Sequence, residues 1–316
     1  MNKTFSFLIT GLLLLGISND LRPQGNIIKV NYEIQDDKSV RISYTKKEPG
    51  SFFLKVIFPR LENSYPTIYQ DVVAYSSGNL LTLQPIDPDK SISFSMSYNY
   101  IRGVPNPEVD TAFQYILPFK NHKKIVVHEA SNVNEVYFGA EKPIDWKSYV
   151  VYSKKADTIY SMRKGIVIDL SNSFTADQSL GNWYSSQRNH IVIEHEDGTV
   201  AEYKGIKKNS FFVKLGQTVY PQTIIGVMER ADENKYRIDF NVHYLYDASF
   251  GKKKKVTMKD YKSRDRFLSP YFVTANGVHK LKDREIYVSE SSATVLLAEF
   301  SKKEKKKYKK NPELFQ

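Results

Sequence analysis

The side chains with chemistry to offer are a guanidinium and a carboxylate two residues apart, six scattered histidines, and an adjacent Trp-Tyr pair. Arg237 and Asp239 stand at i and i+2 in an alternating run, so a strand puts both on one face, where the spacing predicts an ion pair. Arginine keeps its proton at working pH and ligates no metal. The histidines form no H-x-H pattern. His190 and His195 are five apart on a presumed strand and face opposite sides, so they cannot chelate one ion together. His122 and His128 read as surface or partly packed residues. Asp239 and His243 share strand parity, which leaves an improvised two-ligand metal site as the sharp reading and plain packing as the preferred one. Trp183 and Tyr184 offer either a stacking platform for sugar or peptide or, as the favoured reading, an apolar plug under a long loop. With no cysteine, disulfides, thiolate zinc ligands and thiol nucleophiles are excluded.

The elements that must position these residues are strands. Apolar and polar residues alternate through His190 to Glu194 and Thr199 to Tyr203, with Asp197-Gly198 between them as a hairpin signal. Further runs follow at Phe211 to Lys214, Thr223 to Met228 and Tyr236 to Leu245. Upstream, six alternating segments between Asn26 and Pro118, separated by turn residues such as Pro49-Gly50 and Asp87-Pro88, predict an Ig-like β-sandwich. The fold class expected is therefore all-β, with a sandwich over 26–110, a second β domain over 111–250, a β extension over 251–290 with a turn at Asn276-Gly277, and a Lys-rich tail over 291–316. In that tail Ala293 to Phe300 reads as a strand or the first turns of a helix, and the lysine run after it as solvated and unstructured.

Residues 1–18 carry Lys3 and then an apolar run from Phe5 to Ile17, too short to span a bilayer and suited to a secretory signal peptide. The expectation is export to the periplasm or beyond. A lipid anchor on an N-terminal Cys is excluded, and no later apolar run suits a transmembrane segment. The 316 residues, 41% hydrophobic, suffice for two cores. The formal charge of +11 leaves two readings of the Lys-rich tail, an anionic envelope surface as its partner or, as the preferred one, lysines that simply keep the protein in solution, with nucleic acid not expected.

The order of residues from Asn189 to Val242 (NHIVIEHEDGT, then EYKG, FFVKLGQTV, TIIG and RIDFNV), preceded by ADTIYSMRKGIV at Ala156 to Val167, resembles the β-sheet core of the M23 (LytM/lysostaphin-type) zinc endopeptidases. Tyr115 to Phe119 resembles a lead-in segment seen before the catalytic domain of some relatives. The resemblance covers about residues 112 to 246. It implies a β-sheet domain of the duplicated hybrid motif type, action on bacterial wall cross-links, and zinc held by a His, an Asp and the second His of an H-x-H. Each such position departs here. Arg237-Ile238-Asp239-Phe240 stands for H-L-H-F, Gly205 for the assisting His of Y-x-H-L after Tyr203, and Tyr152 for the ligand Asp. The expectation is a pseudoenzyme without cofactor, whose groove residues Tyr203, Arg237, Asp239, Trp183 and Tyr184 bind peptidoglycan or an envelope protein such as a wall hydrolase. Two alternatives stay open: an active zinc peptidase with other ligands, and an envelope adhesion module.

Overall fold

The structure is a computed structural model that describes residues 27–132, 143, 145–175, 188–232, 234–249 and 263–315. The expected export segment, Trp183, Tyr184 and the lysine run at 252–255 lie outside the described residues. Among the described residues no helix is long and apolar enough to cross a membrane.

Six strands come first: β1 (Ile28–Ile34), β2 (Val40–Lys46), β3 (Phe52–Glu62), β4 (Tyr69–Ala74), β5 (Gly78–Leu83) and β6 (Ser93–Arg102). They form two antiparallel sheets ordered β1-β2-β5 and β4-β3-β6. Alternation is what pairs them: Val40, Ile42 and Tyr44 on β2 and Phe52, Leu54, Val56 and Phe58 on β3 point into one shared core. Each such side chain contributes about 1.5–3 kcal/mol by leaving water. The result is a six-stranded sandwich.

The remaining strands are β7 (Gln114–Ile116), β8 (Lys124–Glu129), β9 (Tyr149–Ser153), β10 (Thr158–Tyr160), β11 (Gly165–Ser171), β12 (His190–Glu194), β13 (Val200–Lys204), β14 (Ile206–Phe211), β15 (Thr218–Val219), β16 (Ile224–Asp232), β17 (Lys235–Leu245), β18 (Asp265–Phe267), β19 (Tyr271–Thr274), β20 (Gly277–Lys280) and β21 (Ile286–Val288). Twelve of them form one sheet along the path β15-β11-β12-β13-β17-β9-β8-β21, with β10, β14, β16 and β18 attached beside it, while β20-β19-β7 form a small sheet. Strand β17 is central: β16 and β13 share one edge and β9 and β18 the other. Its even residues Ile238, Phe240 and Val242 enter the core with Tyr149, Val151, Ile191, Ile193 and Tyr203. Its odd residues Arg237, Asp239, Asn241 and His243 therefore face the other way.

Two sequence-predicted turns join the sandwich to the larger body. Gly50 has φ +82°, and a Cβ there would lie 2.5 Å from Ile168 and 2.6 Å from the Glu194 carboxylate. Glu194 instead accepts hydrogen bonds from the Ser51 backbone N–H at 2.7 Å and from the Ser51 hydroxyl. Gly198, in the turn between β12 and β13, packs against Val104 and Pro107.

The lysine-rich tail, expected to be unstructured, is a helix over Lys302–Lys310 followed by a 3-10 turn over Pro312–Phe315. Three attachments override the composition. Ser301 and Glu304 form a capping box. Phe300, Tyr308 and Phe315 close an aromatic cluster in which Phe300 and Phe315 also pack on Tyr220. Buried Arg163 holds Glu299 at 2.7 Å and Asp197 at 2.8 Å. Ahead of it, Ala293–Leu296 forms a single helical turn.

Candidate functional site

The odd face of β17 carries the predicted pair. Arg237 donates Nε to Asp239 Oδ1 and Nη2 to Asp239 Oδ2, both at 2.6 Å, a bidentate geometry that fixes the guanidinium plane. Across the register, Tyr152 of β9 faces Arg237, with the guanidinium 5.7 Å from its ring centre. Arg188, which precedes β12, adds a second guanidinium. Its Nη1 reaches Asp239 Oδ1 at 2.9 Å and its Nη2 donates to the Arg237 carbonyl at 3.1 Å.

Gly205 makes room for that second arginine. At φ +102° it sits where an added Cβ would fall 2.0 Å from Arg188 Nη2 and 2.6 Å from the Arg237 carbonyl. Asn189, fully buried, fixes the chain next to Arg188. Its side chain accepts from Phe174 N–H at 2.9 Å and donates to Phe174 O at 2.8 Å, while its carbonyl accepts from Gly205 N–H. Glu229 of β16 is the register partner of Arg237 and donates its backbone N–H to Gly205 O at 2.7 Å. Burial raises its carboxyl pKa, and the nearby Arg188 charge opposes the rise.

Along the same face Glu202 accepts from Asn241 at 3.0 Å and pairs with Lys204 at 2.9 Å. Burial pushes the Glu202 carboxyl up, but Lys204, His243 and Asn241 together hold it below its usual value. His243 Nδ1 lies 2.8 Å from Asn241 Oδ1. His190 Nε2 lies 3.2 Å from Asp169.

The structure thus brings together Tyr152, Gly205, Arg237 and Asp239 and adds Arg188, Asn189 and Glu229, which the sequence reading did not single out. Asp239 and His243 have different partners, two arginines for one and Asn241 for the other, so the improvised metal pair does not form. Tyr203 is corrected. It is fully buried and accepts a hydrogen bond from Met162 N–H at 2.9 Å, so it belongs to the core and cannot meet a ligand. Strand parity is the reason: Ala201 and Tyr203 point inward while Glu202 and Lys204 point to the face that carries Asn241 and Asp239. His195 is likewise buried, its Nδ1 2.8 Å from Lys164 O, and burial with the Arg163 charge lowers its pKa to about 3.

Zinc is the ion that the sequence resemblance implies, and this donor set does not fit it. Two guanidiniums, a phenol and a glycine surround one carboxylate already bound to both cations. Among the described residues no group of three or more His, Asp or Glu side chains is arranged to hold a metal ion. Chemically the cluster is a polar, internally paired patch with an aromatic ring beside it, and no metal-activated water follows from it.

No protein-family profile matches the chain, and no curated protein matches it in sequence. Among solved structures it is similar to pseudoalterin, an M23 metalloprotease from the deep sea, at 13% identity and TM-score 0.31 over 57% of this chain and 96% of that one. It is similar also to a zinc-containing peptidase of Vibrio cholerae, at 14% identity and TM-score 0.25 over 69% and 75%. A third is Csd3 of Helicobacter pylori, at 13% identity and TM-score 0.30 over 92% and 78%. Superpositions of this size add nothing to the site's chemistry; the chain stands as an all-β protein whose sequence resembles the M23 peptidases, with Gly205 and Arg237 where that resemblance implies imidazoles, Asp239 where it implies a third, and Tyr152 where it implies a carboxylate.

Proposed function

We propose that the chain is an exported, catalytically inactive M23-like protein that binds peptidoglycan or a wall-remodelling enzyme through the groove beside β17. The observation that carries this reading is the convergence of Arg188 and Arg237 on Asp239, against Gly205 and Tyr152, at the positions where the resemblance would put zinc and its assisting His. A guanidinium cannot accept a proton from water, but it recognises carboxylates and amides well, which turns a hydrolytic groove into a binding one. The test uses the full chain and purified peptidoglycan sacculi. Zinc content is measured after incubation with zinc and desalting, soluble products are followed by chromatography, and retention on sacculi is compared with that of Arg237→Ala. Zinc below stoichiometric, no released products and retention weakened by the substitution support the reading. Stoichiometric zinc or released fragments overturn inactivity. Absence of retention, with no change in the rate of an added wall hydrolase, overturns binding.

A further inference from the structure

The C-terminal helix Lys302–Lys310 reads KKEKKKYKK, and all seven of its lysines are exposed. Glu304 and Tyr308, one turn apart, are its attachments to the body. Glu304 accepts from Lys164 Nζ at 2.9 Å and from the Tyr220 hydroxyl at 2.8 Å, and closes the capping box with Ser301. Tyr308 packs its ring against Phe300 and Phe315. A helix turns about 100° per residue, so the direction opposite the midpoint of these two anchors is that of Lys306. On the same count Lys302 and Lys310 lie about 40° from that direction, Lys303 and Lys309 about 60°, and Lys305 and Lys307 about 100° to either side. Five lysines therefore lie within about 60° of the outward direction along a rail about 13 Å long.

We propose that this rail docks the protein on a flat anionic surface, the phosphate-bearing head groups of a lipid bilayer. Solubility alone needs neither a capping box nor a clamp, whereas a fixed array on one side of a helix suits a planar partner. Lysine is a compact point charge without the planar fork that selects one bidentate ligand, which fits adsorption to many phosphates at once. The outward face carries no apolar side chain, so attachment is by charge and reversible, without insertion. The proposal is independent of the groove.

The test is co-sedimentation of the full chain with vesicles of one part phosphatidylglycerol to two parts phosphatidylcholine, against phosphatidylcholine alone. Each lysine near such a surface multiplies the partition coefficient by about five. The double substitution Lys302→Gln and Lys306→Gln is expected to lower it about 25-fold, and Lys305→Gln with Lys307→Gln less than about fivefold. Lys and Gln have nearly equal helix propensity, and circular dichroism checks that both variants stay folded. Binding that vanishes at high salt and ranks the two doubles in this order supports the rail. No partition onto the anionic vesicles overturns it. Equal losses from the two doubles overturn it too, because a flexible polyanion wrapping the helix, such as polyphosphate, would use the side lysines as well as the outward ones.

Discussion

Gly205→Ala is the sharpest perturbation of the arginine cluster, because the position where a Cβ would go is already occupied. A φ of +102° costs an L-residue about 1–2 kcal/mol. The Arg237 carbonyl, 2.6 Å away, is backbone of the central strand and can yield only by shifting β17. Arg188 Nη2, at 2.0 Å, must leave, giving up its bonds to the Arg237 carbonyl and to Asp239. These groups keep some solvent contact, so each lost bond counts for about 1 kcal/mol. The sum is a destabilisation of about 3–4 kcal/mol. Urea unfolding followed by tryptophan fluorescence reads it, since the two tryptophans of the chain, Trp146 and Trp183, both follow the sandwich segment in the sequence. In an Arg188→Ala background the same glycine substitution should cost about 1–2 kcal/mol less, because the displaced side chain is gone. A loss under about 0.5 kcal/mol, or an identical loss in both backgrounds, refutes the packing of Arg188 against Gly205.

Asp239→Ala leaves two guanidiniums without their shared carboxylate and is expected to cost about 2–3 kcal/mol, with coupling of about 1 kcal/mol to each arginine in double-mutant cycles; additive effects would count against the cluster. Arg163→Met strands Asp197 and Glu299 inside the body and is expected to cost about 3–5 kcal/mol, and limited trypsin digestion should then cut the Lys302–Lys310 helix sooner than in the parent. Stability also depends on acid. His195, with its folded pKa lowered by burial to about 3, is neutral in the folded chain but protonated in the unfolded one below the ordinary histidine value of 6.5. Its contribution is complete above pH 6.5 and is lost as pH falls toward 3, at up to about 1.4 kcal/mol per pH unit. Urea midpoints measured down the pH scale should show that slope, and His195→Asn should flatten it.

How much of this was legible in the chain follows from the physics of each element. Period-two alternation makes the all-β class and the Arg237–Asp239 pair readable, since a strand must put i and i+2 on one side. The same rule, applied to Val200–Lys204, would have put Tyr203 in the core beside Ala201. The tail carried a readable signal as well: Ser301-x-x-Glu304 is a capping-box pattern, and Tyr308 one turn after Glu304 supplies the inward face. Lysine content masked it. Arg188 was not legible, because its approach to Asp239 depends on the register between β13 and β17 and on a positive φ at Gly205, neither of which a local pattern encodes. The docking of Gly50 on Glu194 is hidden for the same reason, 143 residues of chain separating Ser51 from its acceptor.

The odd face of β17 is closed to a metal by interlocking packing and not by one missing ligand. Placing an imidazole at 205 requires a Cβ where Arg188 and the Arg237 carbonyl now meet. Removing Arg188 to make that room frees neither oxygen of Asp239, because Arg188 shares Oδ1 with Arg237, which still holds the carboxylate through both oxygens. Replacing Arg237 in turn takes away the cation that lies over Tyr152 and leaves a phenol where a carboxylate ligand is needed. Each of the three changes is disfavoured until the others are made, so no single substitution on this face moves the donor set toward zinc. The arrangement is self-consistent because every charge in it answers another: two guanidiniums on one carboxylate, an aromatic ring under the first, and the Glu229 carboxyl near the second.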